Sequence, residues 1–173
     1  MLSIFAKLLS ILNSETAAWQ ISLAFSFAMV AGLTPVAGIH NLFVLFLILI
    51  LRVNLSSFIF GLVIFSGLSF ILDPLFHHLG SAILAAASLQ DLWTSLYNNP
   101  FMRLTRFNNT IVMGSLALSL FLFIPLFFLF NFLIKKYRET ILEKIRNTKV
   151  MQLFKASKFY KVYEKVSYLR SSE

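Results

Sequence analysis

Apolar residues run almost unbroken from Ala17 to Leu51, except across Gly32-Leu33-Thr34-Pro35-Val36-Ala37-Gly38-Ile39-His40-Asn41, where helix breakers and polar groups collect. The first arm, Thr16 to Leu33, reads as a helix of about 27 Å at the usual rise per residue. It carries Gln20, Ser22 and Ser26, which among lipid chains turn toward other helices. The second arm, Ile39 to Leu51, reaches only about 20 Å before Arg52-Val53-Asn54 interrupts it. A bilayer core is roughly 30 Å thick, so the second arm is too short to cross alone. Two arrangements satisfy these lengths. In one the arms form a re-entrant hairpin with its tip at Thr34 to Asn41. In the other both arms span, with the bilayer thinned locally or the helix prolonged through Val53 to Leu55. The second arm's length favours the hairpin, while the first arm is nearly long enough to span.

Beyond the break, Leu55 to Leu72 forms a third apolar run, in which Gly61, Ser66 and Gly67 would allow close helix packing. Asp73-Pro74 predicts a helix boundary, because Pro removes a donor and restricts the residue before it. Leu75 to Tyr97 is milder, with His77, His78, Gln90, Asp91 and Trp93, and reads as one or two amphipathic helices at an interface. Asn98-Asn99-Pro100 signals a turn, and Phe101 to Asn109, with Arg103 and Arg106, reads as an interfacial loop. Thr110 to Ile134 is the clearest span: it holds no charge, and Pro125 lies inside it. At the start, Met1 to Ser14 places Ile4, Phe5, Leu8, Leu9, Ile11 and Leu12 at helical spacing, as an interfacial amphipathic helix or a frayed extension. Ser14-Glu15-Thr16 resembles a helix cap.

Composition sharpens this picture. The chain is 58% hydrophobic and 13% charged, with a mean hydropathy of +0.82, where soluble domains hold roughly 45–50% apolar and about 25% charged residues. It has no cysteine, which removes disulfides, thiolate metal sites and a Cys nucleophile. No small-residue cleavage site precedes a polar region, so no removable signal peptide is expected. The net charge of +8 is concentrated from Lys135 onward, where eleven Lys or Arg face four Glu. A basic excess on one flank of an apolar region is a topology signal, and it puts this tail in the cytoplasm. Hairpin and paired spans have the same parity, so the N-terminus falls on that side as well. The sequence thus predicts an all-α, polytopic integral membrane protein with a broken-helix or re-entrant hairpin. It divides into an interfacial helix over 1–14, a membrane domain over 15–134 and a basic amphipathic cytoplasmic tail over 135–173.

The run Gly32-x-x-Pro35-x-x-Gly38-x-His40, followed by an apolar arm, Arg52-x-Asn54-Leu55 and Gly61, resembles the bacterial membrane family called domain of unknown function 2062. The resemblance covers roughly residues 16–80. Members commonly carry a second Pro where this chain has Ala37, and Asn-Pro near the position of Ser66-Gly67. The family implies a bacterial inner-membrane location and no particular activity.

Candidate chemistry centres on Thr34, Pro35, Gly38, His40 and Asn41, with Arg52 near the hairpin mouth. A break at membrane depth leaves backbone groups free to bind a solute or head group, as in broken-helix transporters. The alternative is a structural corner, with Thr34 and Asn41 capping those groups, Arg52 snorkelling to the interface and Asn54 capping a turn. Asp73 and His77, at i and i+4, form a candidate proton relay or an ordinary cap with interfacial histidines. Adjacent His77 and His78 point about 100° apart and are poor joint metal ligands. No nucleophile motif, phosphate loop or zinc spacing appears, which disfavours an enzyme, and no cofactor is implied. The basic tail carries an apolar stripe, so anionic membrane lipids suit it better than nucleic acid. A homo-oligomer is compatible with all of this. Two functions follow: transport or translocation of a small solute or lipid through the hairpin, or a structural membrane anchor or envelope assembly partner whose tail binds lipid or protein.

Overall fold

A computed structural model of the chain describes residues 11, 16–35, 37–51 and 53–142. The helix expected over 1–14, Arg52 and the tail beyond residue 142 lie outside the described residues. Among the described residues the fold is all helical. The helices are α1 (Ala18–Leu33), α2 (Ile39–Ile50), α3 (Leu55–Ala85), α4 (Gln90–Tyr97), α5 (Pro100–Leu104) and α6 (Thr110–Lys136). A 3-10 turn over Ala87–Leu89 joins α3 to α4, and a π-helical turn over Tyr137–Leu142 follows α6.

Two of these, Leu55–Ala85 and the helical run Thr110–Thr140, are long and apolar enough to cross a membrane. In their most apolar windows only 22% and 11% of residues are buried, so neither is the covered core helix of a water-soluble protein. Their outward faces carry Val63, Phe70, Ile71, Phe121, Ile124 and Phe128, all exposed. A continuous apolar surface of this kind is not one that water stabilises.

The break appears where the sequence pattern puts it, between α1 and α2. Helix α1 has 16 residues and α2 has 12, or about 24 Å and 18 Å. Helix α3 has 31 residues and α6 has 27, or about 46 Å and 40 Å. Asn109 begins α6 by accepting hydrogen bonds from the amides of Ile111 and Val112, and Lys135 and Lys136 sit in its last turn, where the helix dipole favours cations.

Two boundaries differ from the sequence-based expectation. Asp73-Pro74 does not end a helix: α3 runs through it to Ala85. Pro74 costs one backbone hydrogen bond, whereas stopping there would free several backbone groups beside an apolar surface. Its ring is exposed. Of the expected cap at Ser14-Glu15-Thr16, only Thr16 lies among the described residues. Ala17 is the N-cap of α1 and makes no side-chain cap bond, while the Thr16 hydroxyl accepts from Asn54 Nδ2 at 3.2 Å. The expected loop after Asn99 contains the short helix α5, with Asn99 accepting from the Phe101 amide and Pro100 in the first turn.

Helices α1, α3 and α6 pack against one another, with α1 at the centre. Gly32 of α1 lies against Phe65 and Ser66 of α3, and Gly61 of α3 lies against Ala28 and Phe25 of α1, so these two helices run parallel. Helix α6 runs antiparallel to both: Phe123 meets Phe27 at 5.1 Å and Phe130 meets Phe25 at 5.6 Å. At its start, α6 crosses α3 so closely that a Cβ on Gly80 would overlap the Thr110 carbonyl, and one on Gly114 would overlap that of Phe76. Gly67 contributes nothing of this kind, because a Cβ there would meet no atom within 4 Å. Thr16, Asn54 and Arg138 come together at the opposite end, where Arg138 donates to the Thr16 carbonyl at 2.9 Å. The segment entering α1 and the segment leaving α6 therefore share one end of the bundle.

Candidate functional site

The corner between α1 and α2 is closed by its own side chains. As α1 ends, the last carbonyls lack intrahelical partners and need donors. Thr34, almost fully buried, donates its hydroxyl to the Val30 carbonyl at 2.8 Å. Asn41, from the first turn of α2, donates Nδ2 to the carbonyls of Pro35 at 3.1 Å and Ala31 at 3.4 Å. Its Oδ1 lies 3.3 Å from the Thr34 hydroxyl. One polar residue on each arm thus fastens the turn, and the Gly38 amide adds a bond to the Pro35 carbonyl at 2.9 Å.

Pro35 and Ala37 are exposed on the tip, while Gly38 and His40 are half-buried. The imidazole of His40 covers Gly38 so closely that any Cβ at residue 38 would collide with the ring. Its Nε2 is buried and has no hydrogen-bond partner. The fold therefore gathers Thr34, Pro35, Gly38, His40 and Asn41 in one place, but their roles differ. Thr34 and Asn41 hold the corner, whereas His40 carries an unspent polar atom.

The level of this tip follows from the packing. Gly32 lies against Phe65 and Ser66, and α3 continues from there to Ala85, about 28 Å farther. On the other side Phe27 meets Phe123, thirteen residues after the start of α6. Thr34 lies seven residues, about 10 Å, beyond Phe27 toward the start of α6, so the tip stands roughly abreast of the middle of α3 and of the first half of α6.

Asp73 and His77 are not brought to the tip; Asp73 lies about 10 Å farther along α3 than Ser66. His77 Nδ1 is hydrogen-bonded to the Thr110 hydroxyl at 2.7 Å, across the Gly80–Gly114 crossing, rather than to Asp73. His78 stands beside it, with ring centroids 6.0 Å apart. Asn54 caps α3, accepting from both the amide and the hydroxyl of Ser57 at 2.9 and 2.7 Å. Arg52 lies outside the described residues.

Sequence reasoning missed the contact between Gly80 and Gly114, because nothing local marks two glycines thirty-four residues apart as partners. It also missed a cavity beside α4, where Asn98 had registered only as a turn residue. The signal available was the clustering of Gln90, Trp93, Thr94 and Tyr97 with the Asn98 and Asn108 amides.

An uncharacterized protein of Treponema pallidum (strain Nichols) is 25% identical over 142 residues, covering 82% of this chain and 88% of its own length. No solved structure matches the chain. The family described as uncharacterized proteins conserved in bacteria matches residues 3–141, so the likeness extends beyond residue 80 to take in α4, α5 and α6. The chain belongs to this bacterial family, domain of unknown function 2062.

Proposed function

We propose that the protein is a multi-pass inner-membrane protein that translocates a small solute or lipid head group past the tip of a re-entrant hairpin. In this reading α3 and α6 span, α1 and α2 enter and leave on one side, and both termini are cytoplasmic. The observation that carries it is the short hairpin: its tip stops partway along two longer apolar helices, abreast of the middle of α3. Beyond the tip only α3 and α6 continue, and a polar break at that depth lowers the cost of moving a polar group. His40 is the residue that would contact the moving group, since its Nε2 is unpartnered. The shared end of Thr16 and Arg138 supports the common side of the termini. Lys135 and Lys136 are exposed at that end, with Lys136 Nζ 5.6 Å from the Phe132 ring centroid, as suits side chains reaching anionic head groups.

The test uses the full chain in vesicles holding a fluorescent phosphatidylglycerol, with dithionite bleaching as the readout. The wild type should expose inner-leaflet label faster than protein-free vesicles. His40→Ala and Gly38→Leu, the second of which displaces the imidazole, should lose that rate while still inserting. Equal rates for wild type and both variants would overturn the proposal for lipids.

A second reading is an anchor or assembly partner, and the internal engagement of Thr34 and Asn41 favours it. On that reading, removal of Lys136 to Glu173 impairs cells more than any change at the tip.

A further inference from the structure

The end of the bundle remote from Lys135 and Lys136 holds an open cleft of about 330 Å³ between the C-terminal turn of α3, helix α4 and the turn before α6. We propose that it binds one neutral sugar ring, either as a free sugar or as the head group of a glycolipid. The proposal is independent of what the hairpin does.

The aromatic walls are held in place by contacts of their own. Trp93 and Phe107 lie with ring centroids 6.0 Å apart and planes inclined by 33°. The indole Nε1 donates to the Ile83 carbonyl at 3.3 Å, which fixes the ring on the end of α3. Tyr97 continues the wall one turn on, and the Arg103 guanidinium stands 5.9 Å from its ring centroid. The polar groups are three amides and the Thr94 hydroxyl, which donates to the Gln90 carbonyl at 2.9 Å. Gln90 spends Nε2 on the Leu84 carbonyl at 2.8 Å, which leaves its Oε1 to accept. The side-chain amides of Asn98 and Asn108 line the rim, and neither makes a hydrogen bond among the described residues.

The lining contains no Asp, Glu, Lys, Arg or His. A phosphate would call for a cation among the lining side chains, and an ammonium for a carboxylate. A purely apolar ligand would strand three amides. Aromatic faces beside neutral amides suit a ligand with C–H faces and hydroxyl edges, because each amide offers donors and acceptors to hydroxyls. The volume lies at the small end of ligand sites, which fits one ring rather than an oligosaccharide.

The chain has two tryptophans, Trp19 and Trp93, so a Trp19→Phe variant leaves Trp93 as the reporter. The full-length variant is placed in lipid nanodiscs, free of sugar-based detergent, and titrated with methyl glucoside. Parallel discs contain monoglucosyl diacylglycerol or plain diacylglycerol. A saturable change in Trp93 emission with a sugar probe is expected. Asn98→Ala with Asn108→Ala should weaken it roughly tenfold, the worth of about one or two net hydrogen bonds. A response to the glucosyl lipid alone identifies a head-group site, and a response to both identifies recognition of the ring itself. The proposal is overturned by no saturable response to either sugar, by an unchanged response in the double variant, or by an equal response to plain diacylglycerol. The last result would make Trp93 and Tyr97 simple interfacial anchors.

Discussion

Helices α1 and α2 are neighbours in the chain and both are strongly apolar, yet they have opposite fates. In α1, eleven of sixteen residues are buried; in α2 only Asn41, Val44 and Ile48 of twelve are. The buried helix is the one with the smaller side chains: Ser22, Ala24, Ser26, Ala28, Ala31 and Gly32 face its partners. Helix α2 instead turns Leu42, Phe43, Leu45, Phe46, Leu49 and Ile50 outward. Water would have reversed this order by driving the largest apolar groups inside. Where the surroundings are themselves hydrocarbon, large side chains gain little by hiding, and backbones that can approach closely win the interior. The buried serines fit that solvent too, since Ser22 and Ser26 spend their hydroxyls on the carbonyls of Ala18 and Ser22, one turn back.

Substitutions that enlarge the small residues should break this arrangement first. Gly114→Leu has the largest expected effect, because its Cβ falls on the Phe76 carbonyl and the crossing must open. It should cost about 3 kcal/mol or more, at the top of the range for over-packing, read as a lowered midpoint of unfolding in mixed micelles. Ala28→Leu adds bulk to a fully buried position beside Gly61 and should cost about 2 kcal/mol in the same assay. Asn41→Ala leaves the carbonyls of Ala31 and Pro35 without their side-chain donor, at a cost of about 1–3 kcal/mol. Its unfolding midpoint should fall, with faster hydrogen exchange around Thr34. Gly67→Ala should stabilise α3 by roughly 0.5–1 kcal/mol, the helix-propensity difference, since the added methyl meets open space. Leu49→Ala, on the exposed face of α2, should change the midpoint by less than about 0.5 kcal/mol.

Much of the hairpin was legible because its signals are local. Pro35 and Gly38 stop helices, Thr34 and Asn41 offer capping groups, and the arms on either side are plainly apolar. Asn54 announced its capping role for the same reason. Asp73-Pro74 misled because the penalty of a proline is local, while the cost of ending a helix there depends on the surroundings. The glycines misled in another way. Gly61 and Gly67 look equivalent along the chain, but only Gly61 faces a partner, and Gly80 needed Gly114 to acquire its role. Of the candidate site, the cluster at the tip could be read from spacing. The division of labour within it could not, since it depends on which carbonyls Thr34 and Asn41 reach.

The central proposal is that the tip lies at mid-depth in a bilayer. Because the chain lacks cysteine and Ala37 is exposed on the tip, a spin label on Ala37→Cys reports the depth directly. In a reconstituted bilayer the account predicts a label rich in oxygen collisions and poor in those of a water-soluble nickel chelate, about 15 Å below the head groups, half the core thickness. A label readily reached by the nickel chelate from the side opposite Thr16 would contradict it, making α1 and α2 two spans joined by an ordinary loop.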